Sequence, residues 1–138
     1  MIGKTISHYK ILEKLGEGGM GEVFLAEDTK LDRKVALKFL PKEYTKDKEA
    51  RERFQREAKA AAALNHSNIV TIHEINEFEG QTYIAMEYLE GKTLKESLTS
   101  NPLPLTRVID ITTQICEGLQ KAHDAGIHRC FDHSPYRK

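Results

Sequence analysis

An α+β fold is predicted for this chain: a five-stranded antiparallel sheet interrupted by one long helix, then a short helix and a second long helix. Three observations predict it. Apolar and polar residues alternate at period two over residues 9–39 and again over 70–86. Apolar residues recur at helical steps of three and four over 47–64 and 105–125. Clusters of Asn, Asp, Gly and Pro punctuate the boundaries between these runs.

Tyr9 to Leu15 reads as the first strand and runs into a glycine-rich stretch. Glu22 to Glu27 is the second, with Val23 and Leu25 alternating against Glu22 and Phe24. Asp28 to Arg33 is polar and turn-like, and Lys34 to Leu40 is the third strand, closed by Pro41. In the first helix, residues 47–64, Phe54, Ala58, Ala61 and Leu64 form the apolar stripe, and Arg51, Glu52, Arg53, Arg56 and Lys59 lie on the wet face. Asn65 to Asn68 ends it. Val70 to Phe78 and Gln81 to Met86 read as a hairpin through Glu79-Gly80. Thr93, with Glu96 three residues on, fits a capping box that opens a short helix to about Leu98. After Asn101-Pro102-Leu103-Pro104, Leu105 to Ala125 is the second long helix, with Val108, Ile111, Ile115, Leu119 and Ala122 as its stripe and Gly126 at its stop. Residues 127–138 show no periodicity.

The chain has 138 residues, 39% hydrophobic and 30% charged, with a formal net charge of zero. Such a chain can bury a core of modest size. No global basic field points to nucleic acid or to an anionic membrane. The Ala60–Leu64 run is too short to span a bilayer, and no apolar stretch near Met1 marks a signal peptide. Two cysteines, Cys116 and Cys130, make no disulfide framework, so a reducing, cytoplasmic setting is expected.

Three features carry chemistry. Gly16, Gly18 and Gly21 form a Gly-x-Gly-x-x-Gly that leads into a strand, whereas in a dinucleotide-binding fold it would open a helix. A glycine hairpin can fold its unobstructed N–H groups over phosphates; it can also be an ordinary bulged turn. Lys38 shares a strand face with Ala36 and Leu40. It is either an ammonium held over a site for phosphate oxygens or a lysine snorkelling from an edge strand. Glu57 falls on the apolar stripe of the first helix and needs a cation, for which Lys38 is the natural partner, unless it sits at the stripe's wet edge.

Taken together, these residues resemble the N-terminal lobe of a eukaryotic-type serine/threonine protein kinase, most like the bacterial members. Leu15-Gly-Glu-Gly-Gly-Met-Gly-Glu-Val23 is similar to the glycine-rich loop, and Val35-Ala-Leu-Lys38 to the third-strand lysine motif. Phe54-Gln-Arg-Glu57-Ala58 resembles the αC helix with its ion-pair glutamate. Leu64-Asn-His-Ser-Asn-Ile-Val70 resembles the following linker, with Ser67 where Pro is frequent. Tyr83 to Gly91 resembles the fifth strand and hinge, with Met86 as gatekeeper. The resemblance implies an ATP site: Leu15, Val23 and Ala36 around the adenine, backbone groups of Glu87 and Leu89 at its edge, Gly16, Gly18, Gly19 and Gly21 over the phosphates, and Lys38 held by Glu57. It implies Mg²⁺, a protein substrate and transferase chemistry as well. The corresponding organisation is a kinase-like lobe with hinge over 1–89, a partial helical lobe over 90–126 and an irregular tail over 127–138.

The tail departs from the pattern. Where the family reads His-Arg-Asp, this chain reads His128-Arg129-Cys130, and no metal-binding Asn or Asp-Phe-Gly follows within its residues. A thiol of ordinary pKa is mostly protonated at neutral pH and does not replace a carboxylate. No catalytic residue is therefore assigned, Cys130 standing at the base position. No metal site is expected from His123, His128, Cys130 and His133, whose spacing fits no standard finger. These residues are expected to bind ATP without completing transfer. The alternatives are a non-catalytic module that binds a kinase partner and a truncated gene product of a kinase. Self-association through the exposed Leu105–Ala125 helix is a further expectation.

Overall fold

β-Branched and aromatic residues at alternate positions favour pleated pairing, and the predicted strands form. A computed structural model describes residues 1–18 and 21–127. They fall into two units: Met1–Ala63 with Thr71–Tyr88, and Leu64–Val70 with the chain from Leu89 onward.

The first unit holds β1 (Thr5–Ile6), β2 (Tyr9–Gly18), β3 (Gly21–Asp28), β4 (Arg33–Phe39), β5 (Ile72–Phe78) and β6 (Gln81–Glu87). The described residues make one antiparallel six-stranded sheet, ordered β1-β2-β3-β4-β6-β5. The sixth strand is the addition: β1 is two residues long and pairs Thr5 with Lys10 and Ile6 with Tyr9. Two residues are too few to show a periodic pattern.

The sheet curls until its ends meet. The Tyr9 hydroxyl on β2 donates to Glu74 Oε2 on β5 at 2.7 Å, and the Lys4 ammonium donates to Glu79 Oε1 at 2.8 Å while standing 4.6 Å from the Phe78 ring centroid. Inside the curl lies the core: Ile6, Tyr9, Ile11, Phe24, Ala26, Val35, Leu37, Phe39, Tyr83 and Ala85. Phe39 meets Phe24 edge-on at 5.8 Å between centroids and Tyr83 at 5.5 Å, spacings at which aromatic pairs attract beyond their buried area. β3 is covered on both faces: Val23, Phe24, Leu25 and Ala26 are all buried.

Helices α1 (Lys42–Lys46) and α2 (Lys48–Ala62) complete this unit. α1 begins after Pro41, which closes the preceding strand and whose fixed φ also suits the entry to a helix. Asp47 caps α2 by accepting from the Glu49 N–H at 3.0 Å. α2 packs against α1 and β5, with Ala58 fully buried.

The second unit contains α3 (Leu94–Ser100) and α4 (Leu105–Asp124). The capping box forms: Thr93 Oγ1 accepts from the Glu96 N–H at 3.1 Å and Glu96 Oε2 accepts from the Thr93 N–H at 2.7 Å. The Leu64–Val70 segment lies on α4. Asn68 Nδ2 donates to the Gln114 carbonyl at 3.1 Å, and a Cβ at Gly118 would come within 3.3 Å of the Asn68 carbonyl oxygen, so glycine permits this approach. Gly118 is the buried residue of α4, whereas Leu105, Val108, Ile109 and Ile115 are exposed. Among the described residues, no helix is long and apolar enough to cross a membrane.

Candidate functional site

The register of three strands lines up the predicted residues. Val23 on β3 stands opposite Lys38 on β4, which stands opposite Ile84 on β6. The next row is Leu25, Ala36 and Met86. Directly paired residues share a face, so Val23, Ala36, Lys38 and Met86 lie together on the face turned away from the aromatic core. Leu25 and Ile84 complete both rows. The sequence reading missed them, although alternation from Val23 and from Met86 would have found them.

Lys38 is 7% exposed, with Val23 at 7% and Ala36 at 8% beside it. β4 runs between β3 and β6, which removes the snorkelling edge-strand reading. Burial alone pushes the Lys38 ammonium below its ordinary pKa, because the charged form loses hydration. Among the described residues no carboxylate comes within ion-pair distance of it. The expected Lys38–Glu57 pair is therefore not formed. Glu57 is half-buried on α2, and that helix rests on α1 and β5. An apolar stripe fixes which face of a helix is buried, but not which strand that face meets.

The glycine stretch is a hairpin whose pairing continues outward through Gly16↔Val23, Glu17↔Glu22 and Gly18↔Gly21. Gly19 and Met20 lie outside the described residues. The register slips between Ile11 and Glu13 and between Lys14 and Gly16, so β2 carries two bulges, the second at half-buried Leu15. Gly21 cannot be replaced without disturbance. Its φ is +108°, and a Cβ there would lie 1.8 Å from the Phe39 carbonyl oxygen. The hairpin thus rests directly on the strand that carries Lys38.

At the end of β6, the Glu87 N–H donates to the Thr71 carbonyl at 2.8 Å, and Glu87 Oε2 accepts from the Thr71 N–H at 3.3 Å. Glu87 is half-buried in the first unit, and Leu89 belongs to the second. His128, Cys130 and His133 lie outside the described residues.

The donor chemistry fits a polyphosphate. A buried ammonium with no carboxylate on it is a strong donor to an anion, and Ala36 on the same face carries only a methyl group. Mg²⁺ is a different case: among the described residues no three His, Cys, Asp or Glu side chains cluster to hold a metal ion.

The protein kinase domain family matches residues 9–130. The chain is 48% identical over 132 residues to serine/threonine-protein kinase PrkC of Bacillus subtilis, covering 94% of this chain and 20% of that protein. It is 46% identical over 132 residues to the probable serine/threonine-protein kinase PknB of Lactococcus lactis, covering 93% and 21%. The crystal structure of the M. tuberculosis PknI kinase domain is similar with a TM-score of 0.84 and 36% identity, over 98% of this chain and 55% of that one. The chain thus spans about a fifth of the length of these curated relatives and about half of that solved domain.

Proposed function

The chain belongs to the protein kinase domain family, and on that premise we propose that its sheet-bearing unit binds ATP on the face that carries Val23, Ala36 and Lys38. The observation that carries this reading is Lys38, a buried ammonium on an interior strand with no carboxylate partner among the described residues. A desolvated cation of this kind is costly alone and gains most from an anionic ligand. Gly16, Gly18, Gly19 and Gly21 offer backbone N–H groups to the phosphates, and Leu15, Val23 and Ala36 flank the adenine. When bound, ATP supplies the phosphoryl group; these residues bind and orient it.

Ser/Thr protein phosphorylation is the proposed activity of the whole protein, in the cytoplasm where ATP is held. These 138 residues alone bind nucleotide without transferring it, since Cys130 stands where the family has its Asp. Titration of ATP into the chain and into Lys38→Met tests this. A 10- to 100-fold loss of affinity in the variant is expected, the size of hydrogen bonds to a charged group. Equal affinity in both proteins, or phosphate transfer to a peptide that vanishes with Lys38, would overturn it.

One observation favours a second reading beside the first. On α4, Leu105 is 73% exposed and Ile109 57% exposed, with Val108 and Ile115 also open. This stripe suits self-association or a kinase partner. Sedimentation over a range of concentrations checks it: mass should rise with concentration, and a strict monomer counts against self-association.

A further inference from the structure

The neck of the glycine hairpin carries a strap that the nucleotide reading does not use. Glu17 and Glu22 stand directly opposite each other, one rung below the Gly18↔Gly21 pair at the tip. Like charges so placed repel and splay a hairpin. Lys14 answers both: its ammonium donates to Glu17 Oε2 at 2.5 Å and to Glu22 Oε1 at 2.7 Å. Lys14 pairs across the ladder with Phe24, and Glu22 is two residues from Phe24 on the same strand. The three charged groups therefore lie on the side of the hairpin away from Val23 and Lys38. They cross the back of the flap and do not touch the phosphate face.

The bulge at Leu15 makes the strap possible. The extra residue between Lys14 and Gly16 increases the local twist and bends the strand, so a lysine two rungs below the carboxylate pair spans both of them. The two hydrogen bonds hold the Lys14 ammonium above its ordinary pKa, and the contact with Lys14 holds Glu17 below its own, so this pair stays charged throughout the neutral range.

We propose that Lys14 is a positioning residue: it closes the neck of the glycine hairpin from behind, so that the Gly18↔Gly21 rung is held over the phosphates of the bound nucleotide. This rests on the ATP reading above. The groups are partly exposed, with side-chain exposures of 35%, 68% and 41% for Lys14, Glu17 and Glu22, which sets the size of the effect at that of a surface network. The effect falls on the phosphate end of the ligand and spares the base, because the strap lies beyond the rows that carry Ala36 and Met86.

The test is a set of equilibrium titrations with ATP and with adenosine, at low and high salt. Lys14→Ala should weaken ATP about two- to fivefold at low salt and leave adenosine unchanged. The triple variant Lys14→Ala, Glu17→Gln, Glu22→Gln removes the repulsion together with the strap and should recover ATP affinity. High salt should narrow the gap between the parent and Lys14→Ala. A thermal unfolding midpoint that stays near the parent's in all variants separates positioning from a general loss of structure. If the parent binds ATP and Lys14→Ala binds it equally well, or loses ATP and adenosine alike, the proposal is wrong. If the parent does not bind ATP, it is the nucleotide reading that fails.

Discussion

The two faces of the curled sheet are built from the same strands and differ in what they bury. The inner face is closed and self-sufficient: Phe24, Phe39 and Tyr83 pack ring against ring, and Tyr9 gives its one hydroxyl proton to Glu74. The outer face buries nearly as well, but it buries a lysine. Val23, Ala36 and Ile84 surround Lys38 and offer its charge nothing. Stability is concentrated on the face whose polar groups are paired, and the proposed nucleotide site lies on the face whose cation is left unpaired.

The comparison breaks most visibly at Phe39. Removal of that ring in Phe39→Ala should cost about 3–5 kcal/mol by urea unfolding, since it leaves a cavity at the centre of the aromatic cluster. A loss below about 1 kcal/mol would show that the inner face does not carry the stability. Gly21 joins the two faces, because its hairpin rests on the Phe39 carbonyl. Gly21→Ala should cost about 1–3 kcal/mol of strain and weaken ATP at the same time. A variant that loses one property and keeps the other would show that the two are not joined at Gly21.

Tyr9→Phe sharpens the inner face. Loss of its hydrogen bond should cost about 1 kcal/mol. It should also change the acid limb, because the Tyr9 bond holds the Glu74 carboxyl below its ordinary value. A carboxylate with a lowered folded pKa gives stability that is complete above the unfolded value and lost as pH falls through the folded one. Unfolding curves of Tyr9→Phe should therefore fall less steeply with acid than those of the parent.

The smallest effect on stability is expected at Lys38, and its sign is opposite. Burial lowers the folded pKa of Lys38 below 10.5, so the unfolded chain binds more protons in the interval between them. Stability gained from this group rises as pH rises through that interval. Lys38→Met should be no less stable than the parent at neutral pH, and its advantage should shrink as pH climbs toward 10.5. A variant that is less stable at pH 7 would mean that Lys38 already has a partner.

Much of this was legible in the residues. Period-two alternation located β2 to β6, and the capping box at Thr93 located α3, because both depend on nearest neighbours along the chain. What was missed depends on contacts across it. β1 is too short for a period and exists only by pairing with β2. The bulges at Leu12 and Leu15 are events of register between two strands. Lys38 and Glu57 were each recognised as charges on apolar faces, yet joining them required knowing which strand α2 lies on. That helix meets β5. The strap at Lys14 was invisible for the same reason, since the sequence does not say that Glu17 and Glu22 are opposed.

Lys38 is proposed to wait as a desolvated ammonium for the phosphates of a nucleotide. An NMR pH titration of its Cε resonance, with and without ATP, measures this directly. A midpoint below 10.5 in the free chain that moves upward when ATP is added is expected. A midpoint at the ordinary lysine value, unmoved by ATP, would contradict it.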